Sequence, residues 1–144
     1  MIQVNKIAKK GDLFSFMEGE NEFITDRFFV VDKQFCKGSF LNDILKTEEK
    51  SRYLKIAMGE TEVKQADLTL IVMFFKMLEL GVNYRKKSGI EYIKIKNIYF
   101  DKKYIDQVEN LLFASSYIIK DDRLIIYNIN NEPIFIVMSF KFNE

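Results

Sequence analysis

This chain lacks histidine altogether, and it has one cysteine, one proline and no tryptophan in 144 residues. Without imidazole there is no Ser-His-Asp or Cys-His nucleophilic site, no histidine metal ligand and no imidazole acid–base catalyst. A structural zinc site takes about four Cys or His ligands, and Cys36 is the sole residue of either type. A lone thiol also forbids an intramolecular disulfide, so the fold does not depend on an oxidising compartment. The six glycines do not fall in the spacings of a P-loop or a dinucleotide-binding turn. No metal or cofactor is expected.

Long apolar runs are missing as well. The most apolar segment, Leu68 to Leu80, contains Thr69, Lys76 and Glu79 and is too short to span a bilayer. Met1 to Lys6 runs directly into mixed sequence, with none of the basic-then-apolar pattern of a signal peptide. The expectation is a soluble cytoplasmic protein without membrane attachment.

What is present is the composition of a folded protein, 48% hydrophobic and 30% charged. At this length roughly two-thirds of the unfolded chain's surface can be buried, and residues 1–144 read as a single compact α+β domain. Four of the 22 basic residues are arginine (Arg27, Arg52, Arg85 and Arg123) and the rest lysine, a bias that points to an AT-rich source.

The first third reads as extended chain. Ile2 to Ala8, Leu13 to Met17 and Glu22 to Asp32 are apolar or alternating runs, separated by turn signals at Lys10-Gly11-Asp12 and Glu18-Gly19-Glu20-Asn21. The continuous run Phe28-Phe29-Val30-Val31 predicts a strand covered on both faces. A short helix is predicted over Phe40 to Lys50, capped by Ser39. From Glu62 to Leu80, Val63, Ala66, Leu70, Met73, Phe74, Met77 and Leu78 recur at helical spacing. Apolar side chains cover most of that helix's circumference, which predicts burial around most of its girth. Gly81 would stop it.

Ile90 to Phe100 reads as one strand with a wet face, and Asp101 as the cap of a further helix carrying Tyr104, Ile105, Val108, Leu111 and Leu112. Two hairpins follow, turning at Asp121-Asp122 and at Asn130 to Pro133. The expected architecture has antiparallel sheet from the N- and C-terminal hairpins, packed on the central apolar helix and a shorter second one.

Charge is unevenly distributed. Asp12, Glu18, Glu20, Glu22, Asp26 and Asp32 face Arg27 alone over one segment. Arg85, Lys86, Lys87, Lys94, Lys96, Lys102 and Lys103 outnumber Glu91 and Asp101 over another, with Tyr84, Tyr92, Tyr99 and Tyr104 interleaved. The acidic and basic segments either pair with each other, keep the protein soluble, or meet a partner.

The leading expectation is a small non-catalytic protein that binds another protein, an accessory, inhibitor or immunity type such as mobile elements and phages encode. The candidate binding residues are Arg85, Lys86, Lys87, Tyr92, Lys94 and Lys96, with Glu18, Glu20 and Glu22 as the rival surface. A partly exposed central helix (Leu68, Ile71, Val72, Phe75, Leu78) would also allow a homodimer. The alternative is a nucleic-acid-binding protein that tracks phosphates with the basic stretch 84–104 and stacks bases on its tyrosines. A remaining enzymatic class is a Mg²⁺-dependent nuclease using Glu18, Glu20 and Glu22, or Asp101 with Lys103. For those residues a solvated acidic turn and a helix cap are the favoured readings, and for Cys36 a buried structural thiol.

Overall fold

The apolar runs between Leu13 and Asp32 and between Tyr117 and Met138 fold as antiparallel meanders. The computed structural model describes residues 1–39, 41–44, 57–59, 64–79, 82–85 and 89–140. In chain order the elements are β1 (Ile2–Gln3), β2 (Phe14–Glu18), β3 (Asn21–Thr25), β4 (Phe29–Asp32), β5 (Cys36–Lys37) and β6 (Thr69–Leu70). Then come α1 (Ile71–Glu79), β7 (Val82–Arg85), β8 (Glu91–Ile95), β9 (Ile98–Asp101) and α2 (Lys102–Ile105), followed by β10 (Ser116–Lys120), β11 (Arg123–Tyr127) and β12 (Pro133–Met138).

A seven-stranded sheet has the order β2-β3-β4-β12-β11-β10-β6, so two meanders meet edge to edge where β4 pairs with β12. β7, β8 and β9 form a second antiparallel sheet, and β1 lies parallel to β5. The architecture is therefore α+β with mostly antiparallel sheet. Among the described residues no helix is long and apolar enough to cross a membrane.

The large sheet is apolar on both faces. One face carries Ile24, Phe29, Val31, Phe135, Val137 and Leu124, which pack with Phe74 of α1, Ile93 and Phe100 of the small sheet, and Tyr104 of α2. The other carries Phe16, Phe23, Val30, Ile125 and Ile136, with Ala57, Met58 and Leu68 against it. Phe29, Val30 and Val31 are buried on alternate faces, as a continuous apolar run requires. The small sheet is tied to the large one at several points. Phe140 N–H donates to the Tyr99 carbonyl at 2.7 Å, and the Phe140 ring lies 5.5 Å from Tyr92 and 5.7 Å from Phe28. The β1–β5 pair is held to the segment after α2, where Gln107 Oε1 accepts from the Gln3 N–H at 2.9 Å.

The structure corrects several expectations. Ile2 to Ala8 is extended only to Gln3, and Val4–Lys6 form a 3₁₀ turn. The run Glu22 to Asp32 breaks at Asp26 to Phe28, where Arg27 takes φ 80°. Asp26 Oδ1 holds that turn by accepting from the N–H groups of Phe28 and Phe29 at 2.8 and 3.1 Å. Leu41–Asp43 form a 3₁₀ turn, and most of the predicted helix over 40–50 lies outside the described residues.

Of the helix predicted over 62–80 with its stop at Gly81, residues 62, 63, 80 and 81 lie outside the described residues, Gln65–Asp67 form a 3₁₀ turn, and the α-helix begins at Ile71. Thr69 and Leu70 pair with Tyr117 and Ser116, and the Ile71 N–H donates to the Ser115 carbonyl at 3.0 Å. Sheet pairing thus takes the backbone groups that a longer helix would use internally. Nor is α1 buried around its girth: Phe74 is, but Val72, Met73 and the preceding Leu70 are exposed.

Ile90 to Phe100 is a hairpin rather than one strand. Ile95 pairs with Ile98 across Lys96 and Asn97, whose φ values of 48° and 65° have the signs of a type I′ turn. Asp101 does cap α2, its Oδ1 accepting from Lys103 N–H at 3.0 Å. The helix is a single turn, followed by a 3₁₀ turn at Val108–Asn110, and Leu112 is left exposed.

Candidate interaction surface

Strand register gathers an unusual set of side chains at one end of the large sheet. Glu18 pairs with Asn21, Phe23 with Asp32, Tyr127 with Pro133, Ser116 with Tyr127, and Leu70 with Ser116. The Gly19–Glu20 turn, the residues after β4, the loop between β11 and β12, and the start of α1 therefore share that end.

The loop from Asn128 to Glu132 is held from within. Asn128 Oδ1 accepts from the N–H groups of Asn130 and Glu132 at 3.0 Å each, and the Asn128 N–H donates to the Glu132 carbonyl at 3.0 Å. Asn131 takes φ 59°, a conformation Asn tolerates. The result is a fixed loop that leaves Ile129 82% exposed. At the same end Leu70 is 65% and Val72 55% exposed, beside Met73. Phe113, two residues before Ser115, is 74% exposed and rests on Phe35 with ring centres 6.1 Å apart. Its φ of 68° is a left-handed conformation that costs a non-glycine residue roughly 1–2 kcal/mol.

Beside the loop lies a cleft of about 260 Å³ lined by Glu18, Asn21, Phe23, Asp32, Gln34, Asn128, Glu132, Pro133 and Ile134. It holds three carboxylates and three side-chain amides on apolar walls, and among the described residues no lysine or arginine lines it. Asp32 is buried and accepts from Gln34 through its N–H at 3.2 Å and its Nε2 at 2.9 Å. Glu18 Oε2 is buried and has no hydrogen-bond partner.

The predicted acidic residues are therefore divided. Glu18 does not share a strand face with Glu22, because the turn at Gly19, at φ 62°, puts them on different strands. Glu18 is opposite Asn21 and Glu22 opposite Met17, so the two carboxylates leave opposite faces. Glu22 meets Lys33 at 3.4 Å, and Glu20 is exposed at the turn.

The predicted basic residues lie on the small sheet. Arg85 ends β7 opposite Glu91, and Lys86 and Lys87 lie outside the described residues. Lys94 Nζ stands 5.8 Å from the Tyr99 ring centre, and Lys96 is exposed in its turn. Tyr92 is 3% exposed and edge-on to Phe140, so it presents no ring face to a base. Tyr104 is buried too, and its hydroxyl donates to Asp26 Oδ2 at 3.0 Å. Burial, followed by the charge of Asp26, pushes the Tyr104 phenol up.

The chemistry-bearing candidates have structural surroundings. Cys36 is buried and its thiol is pushed up to about 12, first by desolvation and then by the charge of Asp32. Asp101 is buried at its helix cap, which raises its carboxyl, and Lys103 Nζ is 3.9 Å away. Among the described residues no three His, Cys, Asp or Glu side chains converge as a cation site.

Sequence reasoning missed Ile129, Phe113 and Glu132, and it named Asp32 only within the acidic segment, not as a buried residue lining a cleft. One signal was available: an isoleucine set among asparagines, Asn128-Ile129-Asn130-Asn131, is out of place in a polar turn. No protein-family model, curated protein or solved structure matches this chain.

Proposed function

We propose that this chain is a non-catalytic protein that acts by binding another protein, as an accessory factor or inhibitor does, through the end of the large sheet that carries Leu70, Val72, Met73, Phe113 and Ile129. The observation that carries this reading is Phe113, a large apolar side chain held mostly in solvent on a backbone conformation that costs energy. The Phe35 contact covers only part of that ring, and strained, exposed outliers of this kind concentrate where a protein meets a ligand. Buried aromatic anchors also dominate the energetics of protein interfaces. The absence of imidazole and the buried, protonated Cys36 support a role without turnover.

The experiment is affinity capture from the native host on the immobilised full chain, with Val72→Asp/Phe113→Ser as the comparison. A defined protein should be retained by the wild type and lost with the double variant, while circular dichroism and the melting temperature stay unchanged. Equal capture by a correctly folded double variant would refute the assignment of this surface. A mass in solution that doubles with concentration, and returns to the monomer in the double variant, would make the partner a second copy.

A further inference from the structure

The small sheet has the order β7-β8-β9, and on its β9 side it is met by Phe140, whose N–H donates to the Tyr99 carbonyl at 2.7 Å. Among the described residues nothing pairs with the outer side of β7. Register fixes which backbone groups point outward there. Ile95 and Ile98 close the two-residue Lys96-Asn97 turn, so they exchange N–H and C=O groups with each other, as Ile93 and Phe100 do two residues on. Lys94 and Tyr92 then aim theirs at Val82 and Tyr84 on β7. The Tyr99 carbonyl, turned away from β8 toward Phe140, has the same parity. Asn83 and Arg85 are left with N–H and C=O groups directed off the sheet.

Chemistry decides what fills that edge. It offers acceptors as well as donors. A phosphate group can take the N–H groups but has no hydrogen to give the carbonyls, whereas an extended peptide supplies both. Charge then selects among peptides. Between Gly81 and Phe100 the sequence carries Arg85, Lys86, Lys87, Lys94 and Lys96 against Glu91 alone. Lys94 lies opposite Val82, and Lys96 is exposed in its turn. A second copy adding its own β7 would set this excess against its equal, and like charges on neighbouring strands destabilise the pairing. A segment rich in Asp and Glu meets opposite charge instead. We infer that the outer edge of β7 docks an acidic, extended segment of a partner protein, which joins the small sheet as an added strand. The site does not depend on the apolar surface at the end of the large sheet.

The probe is acetyl-Glu-Val-Glu-Val-Glu-Val-Glu-amide, titrated into the ¹⁵N-labelled full chain at about 50 mM salt, where screening is modest. Its lysine counterpart and a thymidine dodecamer are the controls. In the free chain the Asn83 and Arg85 amides should exchange readily with solvent. The acidic peptide should slow both by about tenfold or more, saturably, and the lysine peptide should not. Asn83→Pro removes an outward donor without touching the β7–β8 ladder, a change that edge strands accept. It should weaken the acidic peptide roughly tenfold, and Asn83→Ala should not. Unshifted Ile93 and Phe100 resonances establish that the proline variant keeps its sheet. Lys94→Glu/Lys96→Glu retains every backbone group and should also weaken binding roughly tenfold.

Protection of both amides in the free chain, or equal binding of the two peptides, would overturn the inference. So would an affinity unmoved by Asn83→Pro in an intact sheet or by Lys94→Glu/Lys96→Glu. Dodecamer binding that persists in Asn83→Pro and displaces the acidic peptide would replace the docking edge with a phosphate surface.

Discussion

Replacing Asp26 tests how the two sheets are held together. Its Oδ1 accepts from the N–H groups of Phe28 and Phe29, and its Oδ2 accepts from the Tyr104 hydroxyl, joining the β3–β4 turn to α2. Tyr104 is 1% exposed, so in Asp26→Ala its hydroxyl loses its partner without gaining water. That costs about 1–3 kcal/mol, and loss of the turn's backbone bonds adds about 1 kcal/mol. A total of roughly 2–4 kcal/mol lowers Tm by about 6–15 °C in a chain of this size.

Asp26→Asn behaves differently. Burial raises the Asp26 carboxyl above its usual value of 3.8, so the folded state favours the protonated form. A group raised in this way binds more protons folded than unfolded. Stability therefore increases as pH falls from the folded value toward 3.8. The asparagine retains acceptor and donor without charge, so at neutral pH it should equal or exceed the wild type, and this acid-side gain should disappear. Urea unfolding at several pH values between about 7 and 4 measures both effects. The reasoning fails if the asparagine variant is as unstable as the alanine one, or if the wild type loses stability relative to it on acidification.

Other substitutions probe the remaining elements. Phe113→Gly should leave Tm unchanged or raise it, because relief of roughly 1–2 kcal/mol of left-handed strain offsets the loss of the Phe35 contact; a clear drop in Tm would assign that ring to the core instead. Lys96→Gly should stabilise the β8–β9 hairpin by about 0.5–1 kcal/mol, since both turn residues have positive φ, and a matched melting curve reads this directly. Phe74→Ala, at the buried face of α1 against Tyr117, should cost about 3–5 kcal/mol in denaturant titration. Cys36 should resist iodoacetamide at neutral pH until denaturant is added, since a buried thiol at about 12 supplies little thiolate.

The C-terminal hairpins were legible because their turns use residues that announce themselves. Asp121 and Asp122 adopt φ 53° and 61° between two apolar runs, and a pair of short polar residues there reads as a turn. Lys96-Asn97 makes the same geometry without that signal, so the alternation on either side merged into one apparent strand. The same limit applies at Leu70. Helical periodicity continues through it, yet a partner 46 positions later, Ser116, draws it into the sheet. Local pattern records which residues are apolar and does not record which distant strand competes for the backbone. The candidate surface was harder still. Glu18 was visible as an acid, but its separation from Glu22 and its meeting with Asp32 and Glu132 depend on register across four strands.

The junction between β4 and β12 also sets the order in which the molecule can be completed. Phe29 finds Val137, and Val31 finds Phe135, only when more than a hundred intervening residues have been made. Until then the inner border of the first meander stands open, with unpaired amides beside a run of Phe and Val. Folding governed by such distant pairings is slow, and a nascent chain in that state is a ready template for edge-to-edge association. β12, made about a hundred residues after β4, is thus the strand that ends this vulnerability.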